Sequence, residues 1–599
     1  MSNYCANIFD FIKEQESAYK MPIRMNDSWD WSMKDHIETT ELYHNSQLKT
    51  GKNDFKPVKN ITRPILNLQH RTEDLEVKDV QIYVDNPEKY HLSLLVKKYH
   101  DDVFVLENNL DVFLDDLNIS RIDFGAGLSK KLNKPCPEVV PLQSIAFCNQ
   151  RDILASPIGL LHEYSPADLL DMEKKGWGTE SGNATQSVGE LIRLWRDEEK
   201  PSEGIKVYEV HGMLPKRFSS MQEEYADEVF ENQMFIVSFY QPKGTDRKEG
   251  VVLYSAAEPE SPFKLIKRDS IYGRALGFGG AEELFEAQVW TNYDMIRMQN
   301  MLDAAAVTIL KSSDPTVSAK HPNGLKGMKN LEIVDVAPGS EFGQLDTFPR
   351  NMSLFEKSVA NWEAHAQQMG AANDAILGES PSSGTPFKLQ ELVTQNAQGL
   401  HEYRRQQYAK HIEEIYYDWI IPHIEKKICE GSKFLSELSL EELNYVADRV
   451  TVVEWNRYST EKILNGQDFE EGEKDQWMSQ FKDDFKKAGN KRFIELLKNE
   501  FKGSKLGVKV SVAGKSKNLA QMTDKIVNIF RFAFSNPQGF AQVMQIPGMS
   551  KSFNQILEFS GMSQVDFNGI DKLAISQPPQ APGLPANDMQ NAPAPQIAG

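Results

Sequence analysis

Cysteine is scarce in this chain, and the four present, Cys5, Cys136, Cys148 and Cys429, stand far apart. With no Cys-x-x-Cys pair they form no zinc module of usual spacing and no disulfide framework, so ordinary reduced thiols are expected. Long apolar runs are missing as well: no stretch reaches the roughly 18 residues of a membrane-spanning helix. The opening MSNYCANIFDFIKEQ lacks the basic-then-apolar pattern of an export signal. A protein made in a cytoplasm, with no membrane partner, is the expectation. Positive charge is in deficit too, since 67 Lys and Arg against 86 Asp and Glu give a formal net charge of −19. Without a clustered basic face, and with a field that repels polyanions on average, the chain would handle nucleic acid only without gripping it.

Signatures of catalysis are absent. There is no HExxH, no GxSxG and no phosphate-binding P-loop. The histidines include His401 with His411 and His36 with His44, but none stands at a metal-ligand spacing backed by carboxylates, so surface or hydrogen-bonded roles are expected. The acidic pairs Asp101/Asp102 and Asp115/Asp116 need only be solvated. GRALGFGG, Gly273 to Gly280, departs from GxGxxG and precedes no βαβ unit, which favours close packing at a helix start. In AILGESPSSGTPFKLQELVTQNAQG, Ala375 to Gly399, Thr385 and Pro386 stand where a phosphate cradle needs Lys and then Ser or Thr. Thr385 as N-cap and Pro386 at the first helical position instead start a helix, and Gly378, Pro381 and Gly384 keep the connection mobile or tightly turned. No cofactor is expected.

What is present is a folding composition, 40% hydrophobic and 26% charged over 599 residues, long enough for several lobes. Spacings of three and four mark a helix between Asn86 and Asn118 through Val103, Leu106, Leu110, Phe113, Leu114 and Leu117. EVVPLQSIAF reads as a strand. KVYEVHGML, MFIVSFY and VVLYSA read as three more, the last two joined as a hairpin through QPKGTDRKEG. Ala281 to Lys311 carries a narrow stripe of Thr291, Met295, Met298, Leu302, Ala305 and Ile309 on a helix of roughly 45 Å. A Pro- and Gly-punctuated region around one strand, LEIVDV, follows. A second helix, Met352 to Met369, then repeats the spacing with Phe355, Val359, Trp362, Ala366 and Met369. Two arms thus bracket a small tip, and protruding arms bury their stripes against further copies of the chain in a symmetric ring. A long helix from Pro386 is expected to end or kink at Pro422. DRVTVVEWNRY and GVKVSVAG read as strands, and QPPQAPGLPANDMQNAPAPQIAG as a disordered tail. The fold class is α+β, mainly helical.

This order of parts resembles the portal protein of tailed double-stranded DNA bacteriophages. The likeness runs from about Tyr43 to about Phe567. It is strongest in GFGGAEELFEAQVWTNYDMIRMQNMLDAAAVTIL, LEIVDVAPGSEFGQLDT and AILGESPSSGTPFKLQELVTQNAQGLHEYRRQQ. YHNSQLKTGKN, NITRPILNLQ and LDDLNISRIDFGAGLSK are similar to the family's N-terminal wing. The resemblance implies a portal-type protomer of wing, stem, clip and crown, assembled as a ring. Residues 1–278 would be the wing, 279–311 and 349–371 the stem helices, 312–348 the clip and 372–385 the tunnel loop. Residues 386–466 would be the long helix and its return to the wing, 467–575 a mostly helical crown and 576–599 the disordered tail.

The same resemblance implies roles residue by residue. The tunnel loop would comprise Gly378, Glu379, Ser380, Pro381, Ser382, Ser383, Gly384 and Thr385. Partner docking at the clip would use Lys320, His321, Asn323, Lys326, Lys329 and Glu341, and the stem seam Met295, Met298, Leu302, Phe355, Val359 and Trp362. Implied partners are copies of the chain in a dodecamer at one capsid vertex of the virion, major capsid or scaffold proteins, terminase and head-tail adaptor proteins. Double-stranded DNA would pass through the channel without sequence-specific binding, and no enzyme activity is implied. Many relatives begin the long helix with Thr-Ala-Thr-Glu, whereas Thr385, Pro386, Phe387 and Lys388 stand here, so a carboxylate is missing. A channel of acidic sign would let phosphates slide, with Gln390, Gln395, Asn396 and Gln398 offering uncharged hydrogen bonds. The reading from a different class is an intracellular multidomain enzyme with a mobile active-site loop near 378–385.

Overall fold

A computed structural model of the chain describes residues 2–46, 59–84, 96, 97, 99–132, 134–155, 157–198, 204–216, 218, 229–243, 248–306, 310–320, 323, 333–344, 352–372, 387–430, 440–467, 472–484, 506–510 and 531. The chain divides into two units, Met1–Val512 and Ala513–Gly599, and of the second only Arg531 is described. The first unit mixes helix and sheet. It opens with helix α1 (Ser2–Lys20), the small hairpin β1 (Ile23–Asn26) and β2 (Trp29–Trp31), and helix α2 (Met33–His44), which starts on the Ser32 side chain. Helix α3 (Thr62–Thr72), strand β3 (Val80–Val84), helix α4 (Leu110–Phe124) and strand β4 (Ala126–Lys130) follow. Leu106, expected on the α4 stripe, is 73% exposed. Asn109 adopts the left-handed region (φ 49°) and restarts the helix in a new phase.

EVVPLQSIAF is two strands rather than one. Pro141 has no amide to give a ladder, and a 3-10 turn at Leu142–Ser144 separates β5 (Glu138–Val140) from β6 (Ile145–Phe147). After β7 (Ile158–Tyr164) and helix α5 (Val188–Arg196) come β8 (Ile205–Pro215), β9 (Phe230–Tyr240), β10 (Glu249–Ala257) and β11 (Phe263–Lys267). One antiparallel sheet has the order β10-β9-β8-β7-β6, and a second the order β11-β4-β5. In β9, Phe235 and Val237 pack with Ile8 and Ile12 of α1, while Ile236 and Tyr240 pack with Leu191 and Ile192 of α5. Burial of both faces is why MFIVSFY is a nearly continuous apolar run.

A single turn at Gly280–Glu283 leads into α6 (Phe285–Ala306). This arm is shorter than the helix expected to reach Lys311, because Leu310–Ser312 is strand β12. A short helix, Pro315–Lys320, and strand β13 (Phe342–Gln344) complete the tip. The strand expected at LEIVDV is not formed over 333–336. β12 and β13 pair with each other instead, Leu310 opposite Gln344, and Ile333 is 87% exposed. Asp314 fastens the tip by accepting from the Thr316 amide at 2.9 Å and the Ala337 amide at 2.7 Å. Helix α7 (Met352–Met369) has its expected bounds and packs antiparallel to α6. Trp290 stacks on Trp362 at 6.3 Å and 11°, and one turn onward Ser358 donates to Asp294 at 2.6 Å.

The long helix α8 (Phe387–Ile415) continues through a π turn, Tyr416–Ile420, into α9 (Ile421–Glu430). Pro422 therefore does not end it. The Ile421 amide bonds the Tyr416 carbonyl, five residues back, and this wider turn re-phases the ladder just ahead of the proline. A second π turn, His100–Phe104, meets the first, with His100 Nε2 2.8 Å from the Tyr416 hydroxyl. DRVTVVEWNRY, expected as a strand, belongs to helix α10 (Leu440–Leu464). Its β-branched run favours strand locally, but Ala447, Val450, Thr451 and Trp455 fall on one helical face and that face is buried. Strand β14 (Leu506–Val510) pairs with β3, Leu506 opposite Val84 and Val510 opposite Val80, within the core formed by α4, α8 and α9. No helix among the described residues is long and apolar enough to cross a membrane.

Candidate functional site at the base of the paired helices

The bases of α6 and α7 are set into the body by polar contacts with α3 and the segments around it. Ile61, ahead of α3, offers no capping side chain. Gln288 of α6 provides the cap from outside, its Oε1 accepting from the Ile61 amide (2.9 Å), the Thr62 amide (3.2 Å) and the Thr62 hydroxyl (2.9 Å). Its Nε2 donates to the Lys59 carbonyl and to Asn292, so all its capacity is used. The glycines before α6 permit backbone contact, as GRALGFGG suggested. A Cβ on Gly277 would lie 1.7 Å from the Arg268 carbonyl oxygen, and one on Gly279 2.6 Å from that of Asp123. At the far end of α7, Gly370 packs on Ile65 and Ala371 takes φ 51°, while the Ala372 amide closes the helix on the Gln367 carbonyl at 2.8 Å.

One carboxylate organises these ends. Glu73, just past α3, is fully buried. Arg121 of α4 donates to its Oε2 at 2.9 Å, and Arg268, just past β11, to its Oε1 at 3.0 Å. His401 Nδ1 of α8 lies 3.1 Å from that same Oε1, and Arg404 Nη1 3.6 Å away. Arg404 also bonds Asp269 and Glu283, and Gln69 bridges Glu283 (3.2 Å) and the Gly370 carbonyl (3.3 Å). Burial alone would raise the Glu73 carboxyl. Arg121, the His401 hydrogen bond, Arg268 and Arg404 overrule it and hold the group well below the usual carboxylate range. The cost is shared unevenly: burial pulls Arg121 down despite Glu73, whereas Glu283 and Asp269 hold Arg404 up against its own burial. Chemically this is an ionic knot joining α3, α4, α8 and the roots of α6 and α7.

His411, one of the histidines singled out from sequence, is buried with Nε2 unbonded. Burial, with Lys264 and Arg121 adding to it, pushes its pKa down to about 4. The unfolded chain takes up that proton near pH 6.5 and the folded one only near 4, so stability is full above about 6.5 and falls as pH drops towards 4. Urea unfolding of the parent is expected to lose roughly 3 kcal/mol to this group across that window, a loss that His411→Leu should not show.

A separate knot joins the two sheets. Glu209 of β8 receives Lys130 of β4 at 2.7 Å and His162 at 3.0 Å, and His211 reaches Glu258 at 2.9 Å. Burial would lower His211, but Glu209 and Glu258 raise it. Among the described residues no cluster of His, Cys, Asp and Glu could hold a metal ion.

The residues singled out from sequence distribute as follows. Of the seam residues, Val359 is buried, Met295, Met298, Phe355 and Trp362 are half-buried, and Leu302 is 41% exposed. At the tip, Lys320 and Asn323 are exposed, and Glu341 is an exposed partner of Lys311 at 3.2 Å. His321, Lys326, Lys329 and Gly378 to Thr385 lie outside the described residues, as do the side chains of Gln390, Gln395, Asn396 and Gln398. The knot around Glu73 was missed, His401 excepted. Its members are far apart in sequence and each alone reads as a solvated charge.

No protein-family model matches this chain. No curated protein matches it either. Among solved structures it is similar to a chain of the neck of an empty gene transfer agent (GTA) particle computed with C6 symmetry. There the identity is 9% and the TM-score 0.29, with 76% of this chain and 99% of that chain covered. It is also similar to a chain of the virion of a native gene transfer agent particle at 10% identity and a TM-score of 0.27, covering 76% of this chain and 98% of that one. At such scores neither likeness establishes a shared fold, and the function has to be argued from this chain's own residues.

Proposed function

We propose that the chain is a non-enzymatic, portal-type ring subunit that surrounds a DNA channel at a capsid vertex and docks packaging and head-tail proteins through its tip. The observation that carries the reading is the succession of α6, the β12–β13 tip, α7 and α8. An antiparallel helix pair closes at one end on a small β element and is rooted at the other by Gln288 and the Glu73 knot. Trp290, Tyr293 and Leu302 on α6 and Leu354 on α7 remain exposed, which suits arms that bury apolar surface against neighbouring copies. A net charge of −19 per chain suits a conduit along which phosphates slide.

Light scattering and negative-stain microscopy of the purified protein are expected to give rings of about twelve subunits with heterologous contacts. A species that stays monomeric at high concentration would overturn the assignment. Deleting Glu379 to Ser383 should leave the rings intact and impair packaging or retention of DNA. Rings so shortened that package normally would remove the channel-facing role from that segment.

A further inference from the structure

A cavity of about 410 Å³ lies where α1 and α2 meet the 3-10 turn leading into β6. It has no part in the ionic knots or the paired helices. Its apolar lining comes from Ile37 of α2, Leu142 of the turn, Ile145 of β6 and Leu161 of β7. Polar groups come from the two helices, Glu16, Tyr19 and Lys20 from α1 and Lys34, Glu38 and Glu41 from α2.

Part of this polar set is already satisfied within the chain. Glu16 accepts from the Tyr208 hydroxyl at 2.9 Å, and Lys34 stands 3.7 Å from Glu38. Among the described residues, however, the Lys20 ammonium and the Glu41 carboxylate have no salt-bridge partner, and the Tyr19 hydroxyl has no hydrogen-bond partner. Tyr19 matters most, since it is only 4% exposed. Burial, with Cys148 and Glu38 adding to it, pushes the phenol's pKa up, so the group keeps its proton and stays a donor. A buried donor without an acceptor is unfavourable. One that lines a cavity gives its hydrogen bond to whatever fills that cavity.

The lining sets the chemistry of the occupant. The α1 side donates through Tyr19 and Lys20, which suits carbonyl oxygens. The α2 side accepts through Glu41, which suits a cation, and the apolar surface suits an aliphatic side chain. Carboxylates outnumber ammonium groups by three to two, so a basic occupant is favoured over an acidic one. A peptide combines carbonyl, aliphatic and basic groups within two or three residues, whereas a simple amine brings no carbonyl.

We propose that this cavity docks an extended segment of a partner protein in which an aliphatic residue stands beside a lysine or arginine. A backbone carbonyl of the segment accepts from Tyr19, its aliphatic side chain covers Ile37, Leu142 and Leu161, and its cation meets Glu41. The inference does not depend on the ring reading.

The test uses the full chain on a sensor surface and end-blocked hexapeptides of glycine and serine carrying Leu-Lys, Leu-Glu or Ser-Lys at the centre. Leu-Lys is expected to bind about tenfold more tightly than either of the others. Tyr19→Phe should weaken it about fivefold and still melt with the parent, because the deleted oxygen bonds no described protein atom. Glu41→Gln should bring Leu-Lys and Leu-Glu to within about twofold of each other. No saturable binding or equal binding of the three peptides by the parent, an unchanged affinity in Tyr19→Phe, or a full preference for Leu-Lys in Glu41→Gln would each overturn the proposal. So would leucinamide or butylamine binding as tightly as the peptide, which would assign the cavity to a small amine. The parent's ranking of the peptides decides even where a variant folds poorly.

Discussion

Replacing Glu73 by glutamine is expected to cost about 3–5 kcal/mol of unfolding free energy, read as a lower urea midpoint with an unchanged slope. The substitution conserves volume, so no cavity contributes. The whole effect comes from charge. Arg121 and Arg268 are buried beside Glu73, and without its carboxylate Arg121 keeps the Asn118 side chain at 2.8 Å and the face of the Tyr408 ring at 4.9 Å, neither of them charged. A buried guanidinium facing a neutral amide has lost the partner that offset its desolvation. Removing Arg121 as well, as in Glu73→Leu with Arg121→Met, should recover only part of the loss, because Arg268 stays buried with Glu283 at 3.7 Å as its acidic neighbour. The exposed pair Lys311 and Glu341, at 3.2 Å, supplies the contrast, and Lys311→Ala should cost less than about 1 kcal/mol. Equal effects at the two places would mean the knot does not hold the roots of the paired helices.

Gly277→Ala is expected to be more severe, above about 4–5 kcal/mol and seen as failure to yield soluble, folded chain. The new Cβ would meet the Arg268 carbonyl oxygen at 1.7 Å and the Gly125 oxygen at 2.7 Å. Both are backbone atoms and cannot rotate aside. Moving them would break the bonds from the Gly277 amide to the Gly125 carbonyl (3.1 Å) and from the Phe278 amide to the Arg268 carbonyl (3.1 Å). It would also shift Arg268 away from Glu73, so the damage would spread into the knot. Gly399, on α8 with open space around its missing Cβ, is the control: Gly399→Ala should stabilise by about 0.5–1 kcal/mol. A Gly277→Ala protein that melts with the parent would refute the close-packing account of GRALGFGG.

Sequence periodicity reached what single elements decide for themselves. Phe355, Val359, Trp362 and Ala366 defined α7 to its ends, and the strands β8, β9 and β10 were visible because both faces of their sheet are buried. It failed where a neighbour decides. The run Val450 to Val453 favours a strand by itself and becomes helix because the face of Ala447, Val450 and Trp455 is covered. LEIVDV has strand composition, but β12 and β13 take each other as partners. Pro422 sits inside a helix because a π turn precedes it, a register change that no residue pattern announces. Of the candidate site, the helix pair was legible and its fastening was not. Gln288 reads as a polar surface residue of α6, yet it caps a helix more than 200 positions earlier in the chain.

The pairing of β14 with β3 sets a schedule for synthesis. Val80 to Val84 emerge early, but their hydrogen-bonding partner, Leu506 to Val510, is encoded more than 400 residues later. At typical elongation rates of about 5–20 residues per second, the nascent chain waits on the order of tens of seconds with that strand unmatched. Until then Val80 and Ile82 belong to an open edge, the kind of surface that recruits strands from other chains. Where ribosomes crowd on one message and product concentration is high, chaperone cover of the unfinished N-terminal half would govern yield. Any truncation upstream of Leu506 would make that exposure permanent.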